Sequence, residues 1–163
     1  MSELILHRSS GAIALPQPRR AIEIRPAVEA DLEFIDALQR KHSKMVGWFP
    51  TQQLRTNILK GQVLIAQSGA EQLGYCISND RYLKHDDCGI VYQLNVVPTE
   101  HRGLIGATLI KAVFDRAAYG CKLFCCWCAQ DIRANFFWEA IGFVPIAFRT
   151  GSRGKQRIHI FWQ

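Results

Sequence analysis

One segment decides the fold: Val96-Val-Pro-Thr-Glu-His101-Arg-Gly-Leu-Ile-Gly106-Ala-Thr-Leu-Ile110. A β-branched strand runs into a proline, a short basic turn with a glycine follows, and apolar residues then recur at helical spacing as far as Ala117. Gly120 is the expected end cap of that helix. Such a turn directs unpaired backbone N–H groups and the positive end of a helix dipole at an anion, most often a phosphate. The segment therefore predicts a site for a ligand that carries a pyrophosphate.

Length and composition limit the kinds of protein that this chain can be. With 163 residues, 48% of them apolar, it fits one compact domain over residues 21–163, preceded by an extension over residues 1–20. No apolar run approaches the ~18 residues that span a bilayer, and the N-terminus does not resemble a secretory signal. We therefore expect a cytoplasmic protein without a membrane partner. The net charge of +6 favours anionic ligands but does not establish nucleic acid binding.

Hydrophobic periodicity predicts strands and helices in the order βααβββαβαββ. This order indicates an α/β or α+β domain with a mixed sheet. Strands are predicted over residues 21–26, 63–66, 73–77, 90–97, 122–128, 143–149 and 156–162, and helices over residues 28–42, 50–59, 106–117 and 132–141.

Four of the six cysteines crowd into the run Cys121-Lys-Leu-Phe-Cys-Cys-Trp-Cys128. The run is apolar and aromatic and is typical of a buried strand, in which adjacent side chains point to opposite faces. A zinc site would need closely spaced ligand pairs with a second pair farther along the chain, so we expect no metal. We interpret these thiols as core packing, with a reactive or substrate-facing thiol as the alternative.

A second motif lies downstream, at Asp131-Ile-Arg-Ala134-Asn-Phe-Phe137-Trp138-Glu-Ala-Ile-Gly142-Phe143. Together with the first segment, it resembles the GNAT superfamily of acetyl-CoA-dependent N-acetyltransferases over nearly all of residues 21–163. The resemblance implies a mixed, mostly antiparallel central sheet of about seven strands flanked by about four helices. It also implies acetyl-CoA as co-substrate and an amine as acceptor.

The resemblance assigns the cofactor site mainly to backbone groups. Leu94 and Val96 would bind the pantetheine arm, and a backbone N–H there would stabilise the developing oxyanion. The turn would hold the pyrophosphate at the helix start. The residues of this turn are His101, Arg102, Gly103, Leu104, Ile105, Gly106 and Ala107. From the second motif, the predicted cofactor contacts are Asp131, Ala134 and Phe137.

Three residues depart from the family pattern. His101 stands where arginine or glutamine is usual, and Leu104 replaces the first glycine of the motif, although a shift of one residue would bring Gly103 into the turn. Trp138 replaces a tyrosine that protonates the leaving thiolate in many members, and an indole N–H is not a useful proton donor. Loss of one general acid typically costs ~10²–10⁴-fold in rate.

The sequence defines the catalytic residues less well. The predicted set is Tyr92, Glu100 and Trp138. The base is left open between Tyr92, Glu100, the loop residues His85, Asp86 and Asp87, and an ordered water. For the acid, Tyr92, Cys126 or Cys128 would stand in for the tyrosine that Trp138 replaces. Core packing is the alternative interpretation of Trp138.

The acceptor site is predicted only from where residues fall along the chain. Trp48 and Phe49, between the first two helices, fall where family members shape the acceptor site, and a packed helix corner is the alternative. The final hairpin is basic, which allows nucleic acid contact, although a solvated hairpin is favoured. The basic residues of this hairpin are Arg149, Arg153, Lys155 and Arg157.

Two other functions stay open. One is a non-catalytic acyl-CoA or nucleic-acid binding module, and the other is a transferase acting on charged tRNA. The formation of a homodimer stays open as well.

Overall fold

The computed structural model describes residues 16–101, 103–151 and 157–163, which form one seven-stranded sheet. The strands are β1 Glu23–Pro26, β2 Val63–Ser68, β3 Glu71–Asn79, β4 Cys88–Val96, β5 Leu123–Ala129, β6 Pro145–Thr150 and β7 Ile158–Trp162. Their order across the sheet is β1-β2-β3-β4-β5-β7-β6. Every neighbouring pair is antiparallel except β4 with β5, so the predicted mixed, mostly antiparallel sheet is confirmed.

Within the described ranges, five α-helices flank this sheet. They are α1 Leu32–Lys41, α2 Ser43–Val46, α3 Thr51–Leu59, α4 Ile105–Asp115 and α5 Ala134–Ala140. Four of them correspond to predicted helices, and α2 adds a single turn after the first. Two short 3₁₀ turns, Glu29–Asp31 and Pro98–Glu100, precede α1 and follow β4.

Each face of the sheet packs against its own helices. Successive residues of β2 alternate between two cores, with Leu64 and Ala66 in one and Val63 and Ile65 in the other. The first core lies under α4 and α5, and the second lies under α1 and α3. Burying each large aliphatic side chain contributes about 1.5–3 kcal/mol. The two cores therefore hold α1 and α4 on opposite faces of β3 and β4.

Two predicted helix ends are wrong. The first helix does not start at residue 28, because the Asp31 carboxylate pairs with Arg25 and accepts the Val28 N–H, which tightens the chain into a 3₁₀ turn. The hydrogen bond from Arg25 lowers the pKa of Asp31. Gly120 does not cap α4, which ends at Asp115, because the Asp80 carboxylate accepts the Ala118 N–H and draws the chain out of the helix.

The cysteine-rich run forms β5, where Cys125, Cys126 and Cys128 are buried. Burial raises the pKa of all three thiols, to about 11 for Cys128, so they stay protonated at neutral pH. A protonated thiol is neither a nucleophile nor a metal ligand. This burial agrees with the packing interpretation. Among the described residues, no group of three or more histidine, cysteine, aspartate or glutamate side chains is placed to hold a metal ion.

The proposed division of the chain at residue 20 stays a prediction, because residues 1–15 lie outside the described ranges. Within them, Arg20 pairs with Glu71 and with Glu100, so the start of the described chain is tied to the turn after β4. No described helix has the length and apolar character needed to cross a lipid bilayer.

Candidate functional site

A wedge-shaped gap separates β4 from β5, and we name it the β4–β5 opening. The two strands pair in parallel only where Cys88–Ile90 faces Leu123–Cys125. From Cys126 onward, β5 pairs with β7 instead. Among the described residues, the side of β4 that faces β5 therefore has no strand partner from Val91 to Val96. Unpaired peptide groups in the interior of a sheet are available to bind an extended ligand.

A β-bulge in β4 accounts for the opening. Ser78 of β3 pairs with Val91, and the preceding Ile77 pairs with Gln93, so Tyr92 is an extra residue without a partner. A bulge bends its strand and increases the local twist. Because the bulge follows the last pair between β4 and β5, the bend turns the rest of β4 away from β5.

The backbone of Leu94 and Val96 faces this opening. The Val97 N–H donates to the Leu73 carbonyl on β3, and the peptide groups of a strand alternate in direction, so those of Val96 and Leu94 point away from β3. The Val96 carbonyl lies 3.2 Å from Nε2 of His101. These are the two strand residues that the sequence predicts for the pantetheine arm.

The opening leads to the N-terminus of α4. The first intrahelical bond runs from the Thr108 N–H to the Leu104 carbonyl, and within the described residues nothing accepts the N–H groups of Ile105, Gly106 and Ala107. The first turn of α4 carries no acidic side chain and no side-chain cap. Free donors and the positive end of the helix dipole thus point outward together. Arg102, a further predicted contact, lies outside the described residues.

Leu104 occupies the left-handed backbone region, with φ 64° and ψ 6°. The chain does not shift by one residue, because Gly103 is not among the residues with positive φ. Leu104 itself therefore takes a left-handed conformation that favours glycine. For a residue with a Cβ, this conformation costs about 1–2 kcal/mol.

We expect Leu104→Gly to stabilise the protein by about 1 kcal/mol, which would raise the Tm by about 2–4 °C. The Leu104 side chain is not among those packed against either core, so its removal sacrifices little burial. Thermal unfolding measures the effect. Leu104→Ala is the matched control, since alanine keeps the strain and should bring no gain. An equal gain from both variants would contradict this explanation.

Gly106 marks a close approach of α4 to α5. A Cβ at Gly106 would lie 3.1 Å from Cε2 of Phe137 and 3.7 Å from Cδ2 of Leu94. The glycine therefore lets α4 pack closely on α5 and β4. Ile105 is buried and anchors the first turn, whereas Ala107 lines a groove of about 410 Å³ between α4 and the segment after α5.

Arg157 connects the two sides of the opening. Its Nε donates to the Asp131 carboxylate over 2.7 Å, and its Nη1 donates to the Lys44 carbonyl in α2 over 2.7 Å. Asp131 follows β5, and α2 packs against β4. The hydrogen bond from Arg157 lowers the pKa of Asp131. Ala134, the next predicted contact, is the first residue of α5.

The three predicted catalytic residues lie in different surroundings. Tyr92 is 44% exposed at the bulge, and burial of its hydroxyl raises its pKa, which keeps the phenol protonated at neutral pH. Glu100 is paired with Arg20 in the turn beyond β4. Trp138 is 6% exposed in the core under α5, where its ring lies 5.0 Å from that of Phe143. The structure therefore brings only Tyr92 to the bulge, and the catalytic roles of all three stay predictions.

Phe49 and Tyr92 come together on the α1 face of the sheet. Their rings meet edge to face with centroids 6.1 Å apart. Gln39 holds the Phe49 backbone from both sides, because its Nε2 donates to the Phe49 carbonyl and its Oε1 accepts the Phe49 N–H. Trp48 is 55% exposed beside them. The two residues predicted for the acceptor side thus lie next to the bulge.

A buried polar cluster that the sequence did not predict lies beneath β4. The residues are Gln39, His42, Tyr75, Gln93 and Asn95. The available signal was the alternation of Gln93 and Asn95 with apolar neighbours, which places two amides on one face of an interior strand. Buried amides need hydrogen-bond partners, so this pattern predicts a polar network.

No protein-family model and no curated protein sequence matches this chain. Among solved structures, N-acetylglutamate synthase from Neisseria gonorrhoeae, crystallised with coenzyme A and N-acetyl-glutamate, is similar with a TM-score of 0.70 at 18% identity over 86% of this chain. A GNAT-family acetyltransferase from Bacillus cereus gives 0.67 at 13% identity over 87% of this chain and 95% of its own. The ribosomal-protein-S18-alanine N-acetyltransferase from Escherichia coli gives 0.64 at 14% identity over 87% of this chain and 92% of its own.

These likenesses establish the fold, which is that of the GNAT acetyltransferases. The resemblance stated from the two sequence motifs is therefore confirmed at the level of the fold. The chain spans only 34% of the length of the N-acetylglutamate synthase. It covers nearly all of the Bacillus cereus and Escherichia coli proteins.

Proposed function

We propose that this protein is an N-acetyltransferase that moves an acetyl group from acetyl-CoA to an amine by direct attack on the thioester. The proposal rests on one observation, which is that the β4–β5 opening ends at the uncapped N-terminus of α4. Coenzyme A carries an extended pantetheine arm joined to a pyrophosphate, and this arrangement offers a binding element to each of these two groups. The neighbours crystallised with coenzyme A support the same ligand.

The pyrophosphate fits the free N–H groups of Ile105, Gly106 and Ala107. An anion there gains both hydrogen bonds and the helix dipole, and no acidic side chain of the first turn opposes it. His101 stands at the same turn and, with Arg102, completes the predicted contacts. This fit depends on backbone donors, so it tolerates leucine at position 104.

The pantetheine arm fits the peptide groups of Leu94 and Val96. An extended amide chain can pair with them as a strand would, because β5 has turned away at this point. The thioester would then lie beside this stretch of β4, where a β4 N–H can stabilise the oxyanion. We propose Asp131, Ala134 and Phe137 as the wall of this channel on the β5 side.

The acceptor amine would enter from the α1 face, past Trp48 and Phe49. Tyr92 is the proposed acid, because a phenol with a raised pKa carries a proton that it can give to the leaving thiolate.

The basic hairpin offers fewer free cationic side chains to a nucleic acid than its sequence indicates. Arg149 lies 3.8 Å over the Trp127 ring, and Arg157 is paired with Asp131.

Acetyl-CoA binding, measured by calorimetry, tests the first half of this proposal. Saturable binding at one site is expected, and absence of binding by any CoA thioester would contradict the function. The second half is tested by release of free thiol with a panel of small amines and of peptides with a free N-terminus. Binding without turnover would favour a non-catalytic acyl-CoA module. Turnover only with charged tRNA, steeply weakened by salt, would favour the tRNA alternative.

A further inference from the structure

The polar cluster beneath β4 is buried, and its amide and hydroxyl groups bond to one another and to the backbone. Its five members are each less than 10% exposed, with His42 the most accessible at 8%. A buried polar group without a partner costs several kcal/mol, and no buried side-chain nitrogen or oxygen among the described residues lacks one. Such a network holds each of its side chains in one orientation.

Backbone groups determine the direction of every bond near His42. The Leu38 carbonyl can only accept, so the Asn95 atom 3.3 Å from it is the donor Nδ2. The same Nδ2 donates to the Tyr75 hydroxyl over 3.3 Å, and that hydroxyl donates onward to Gln93 over 2.8 Å. The remaining amide atom of Asn95 is therefore the acceptor Oδ1.

The orientation of Asn95 determines the tautomer of His42. Oδ1 of Asn95 lies 2.5 Å from Nδ1 of His42, and because Oδ1 can only accept, Nδ1 carries the proton. The other ring nitrogen, Nε2, then has a free lone pair in the neutral ring. No described residue bonds Nε2, and since every buried polar atom has a partner, Nε2 reaches solvent. The ring is held as a proton acceptor.

His42 lies beside the stretch of β4 that borders the β4–β5 opening. Asn95 stands between Leu94 and Val96, whose peptide groups face the opening. On the other side, the His42 ring lies 6.4 Å from the His101 ring, whose Nε2 contacts the Val96 carbonyl. His42 follows the last residue of α1, so it faces β4 from the side that also presents Phe49 and Tyr92.

We propose that His42 is the general base of the reaction, held as the Nδ1–H tautomer by Asn95. This assignment rests on the proposed function. The amine nitrogen bonds to the thioester carbon, and the proton that it loses goes to Nε2 of His42. The carbon–sulfur bond breaks with its electron pair on sulfur. The thiolate takes a proton from Tyr92 or from the imidazolium, directly or through water, which leaves an amide and free coenzyme A.

The other charged groups near the His42 ring are less suited to act as the general base. Glu100 is paired with Arg20, and the raised pKa of Tyr92 makes it an acid rather than a base at neutral pH. On α3 and the 3₁₀ turn before α1, Arg55 and Glu29 pair with each other. Further titratable or charged groups on the elements around His42 include Glu33, Asp36, Arg40, Lys41, Lys44, Tyr75, His101 and Arg157.

The variant His42→Asn tests the assignment, because an asparagine amide can still donate to Asn95 but cannot take up a proton. We expect kcat to fall by ~10²–10⁴-fold, while the Kd for acetyl-CoA stays within about twofold. Glu33→Gln is the control, since it removes an exposed titratable side chain of α1 that has no place in the proposed site, and its kcat should stay unchanged. A kcat for His42→Asn within about threefold of the wild type, at unchanged acetyl-CoA affinity, would overturn the proposal.

The pH dependence of the wild type gives a second test that needs no variant. Turnover should fall on the acid side of its pH profile, because a ring that already carries both protons cannot accept one from the amine. The position of this limb should be the same for amines of different basicity. A rate that follows only the basicity of the amine would overturn the role of His42 and leave the acetyltransferase function intact. No turnover by the wild type would overturn both.

Discussion

Replacing Gly106 with glutamate should abolish acetyl-CoA binding. The new carboxylate would stand in the first turn of α4, among the N–H groups proposed to hold the pyrophosphate. Two like charges about 4 Å apart near a protein surface repel by about 4 kcal/mol, which corresponds to a loss of about 10³-fold in affinity. The side chain also has to displace Phe137, because a Cβ at this position already lies 3.1 Å from the ring.

Two control variants separate charge from packing. Gly106→Ala brings the same Cβ without the charge, and overpacking of this kind costs about 1–3 kcal/mol of stability with a smaller loss of affinity. Lys111→Glu places an acidic side chain on an exposed position of the same helix and should leave the Kd within a few-fold. Calorimetric titration with acetyl-CoA measures all three variants. Near-normal affinity in Gly106→Glu would show that the pyrophosphate binds elsewhere.

Trp138→Ala should cause the largest loss of stability, about 3–5 kcal/mol, because it empties a large site in a packed core. The Trp138 ring is 6% exposed and packs against two other aromatic rings. Its centroid lies 5.2 Å from that of Phe137 and 5.0 Å from that of Phe143. A loss of this size lowers the Tm of a domain of this length by about 10 °C. Denaturant or thermal unfolding measures it.

Phe136→Ala is the matched control for this second prediction. Phe136 is an aromatic residue of the same helix, but it is 71% exposed. Its removal should change the free energy of unfolding by no more than about 0.5 kcal/mol. If Trp138→Ala cost no more than Phe136→Ala, Trp138 would not be a core residue, and its position in the second motif would need another explanation.

Much of the fold could be predicted because its signals are local. The apolar spacing from Gly106 onward gives α4, and the apolar run around Cys125 gives β5. The β4–β5 opening could not be predicted in this way, because a bulge is a property of the pairing register between two strands. Nothing about Tyr92 alone marks it as the extra residue, and only the partners of Val91 and Gln93 reveal it.

The candidate site also combines features that have a local sequence signal with features that have none. Backbone donors at the start of α4 follow from the strand, turn and helix pattern, whatever the side chains. The residue type at position 104 was misleading, because a leucine argues against the left-handed conformation that Leu104 adopts. His42 and Asn95 are 53 positions apart, so their hydrogen bond exists only once α1 has packed on β4. Their pairing therefore had no local signature.

The β4–β5 opening also affects how the chain avoids self-association. Exposed strand edges recruit strands from other molecules, which is a common origin of aggregation. Here, the unpaired edge of β4 lies in the middle of the sheet, with α4 on one face and α1 and α2 on the other. A slender ligand arm can reach such an edge, but a strand from a neighbouring molecule meets the flanking helices first. Placing the free edge inside the sheet therefore keeps it accessible to a small ligand and protected from other chains.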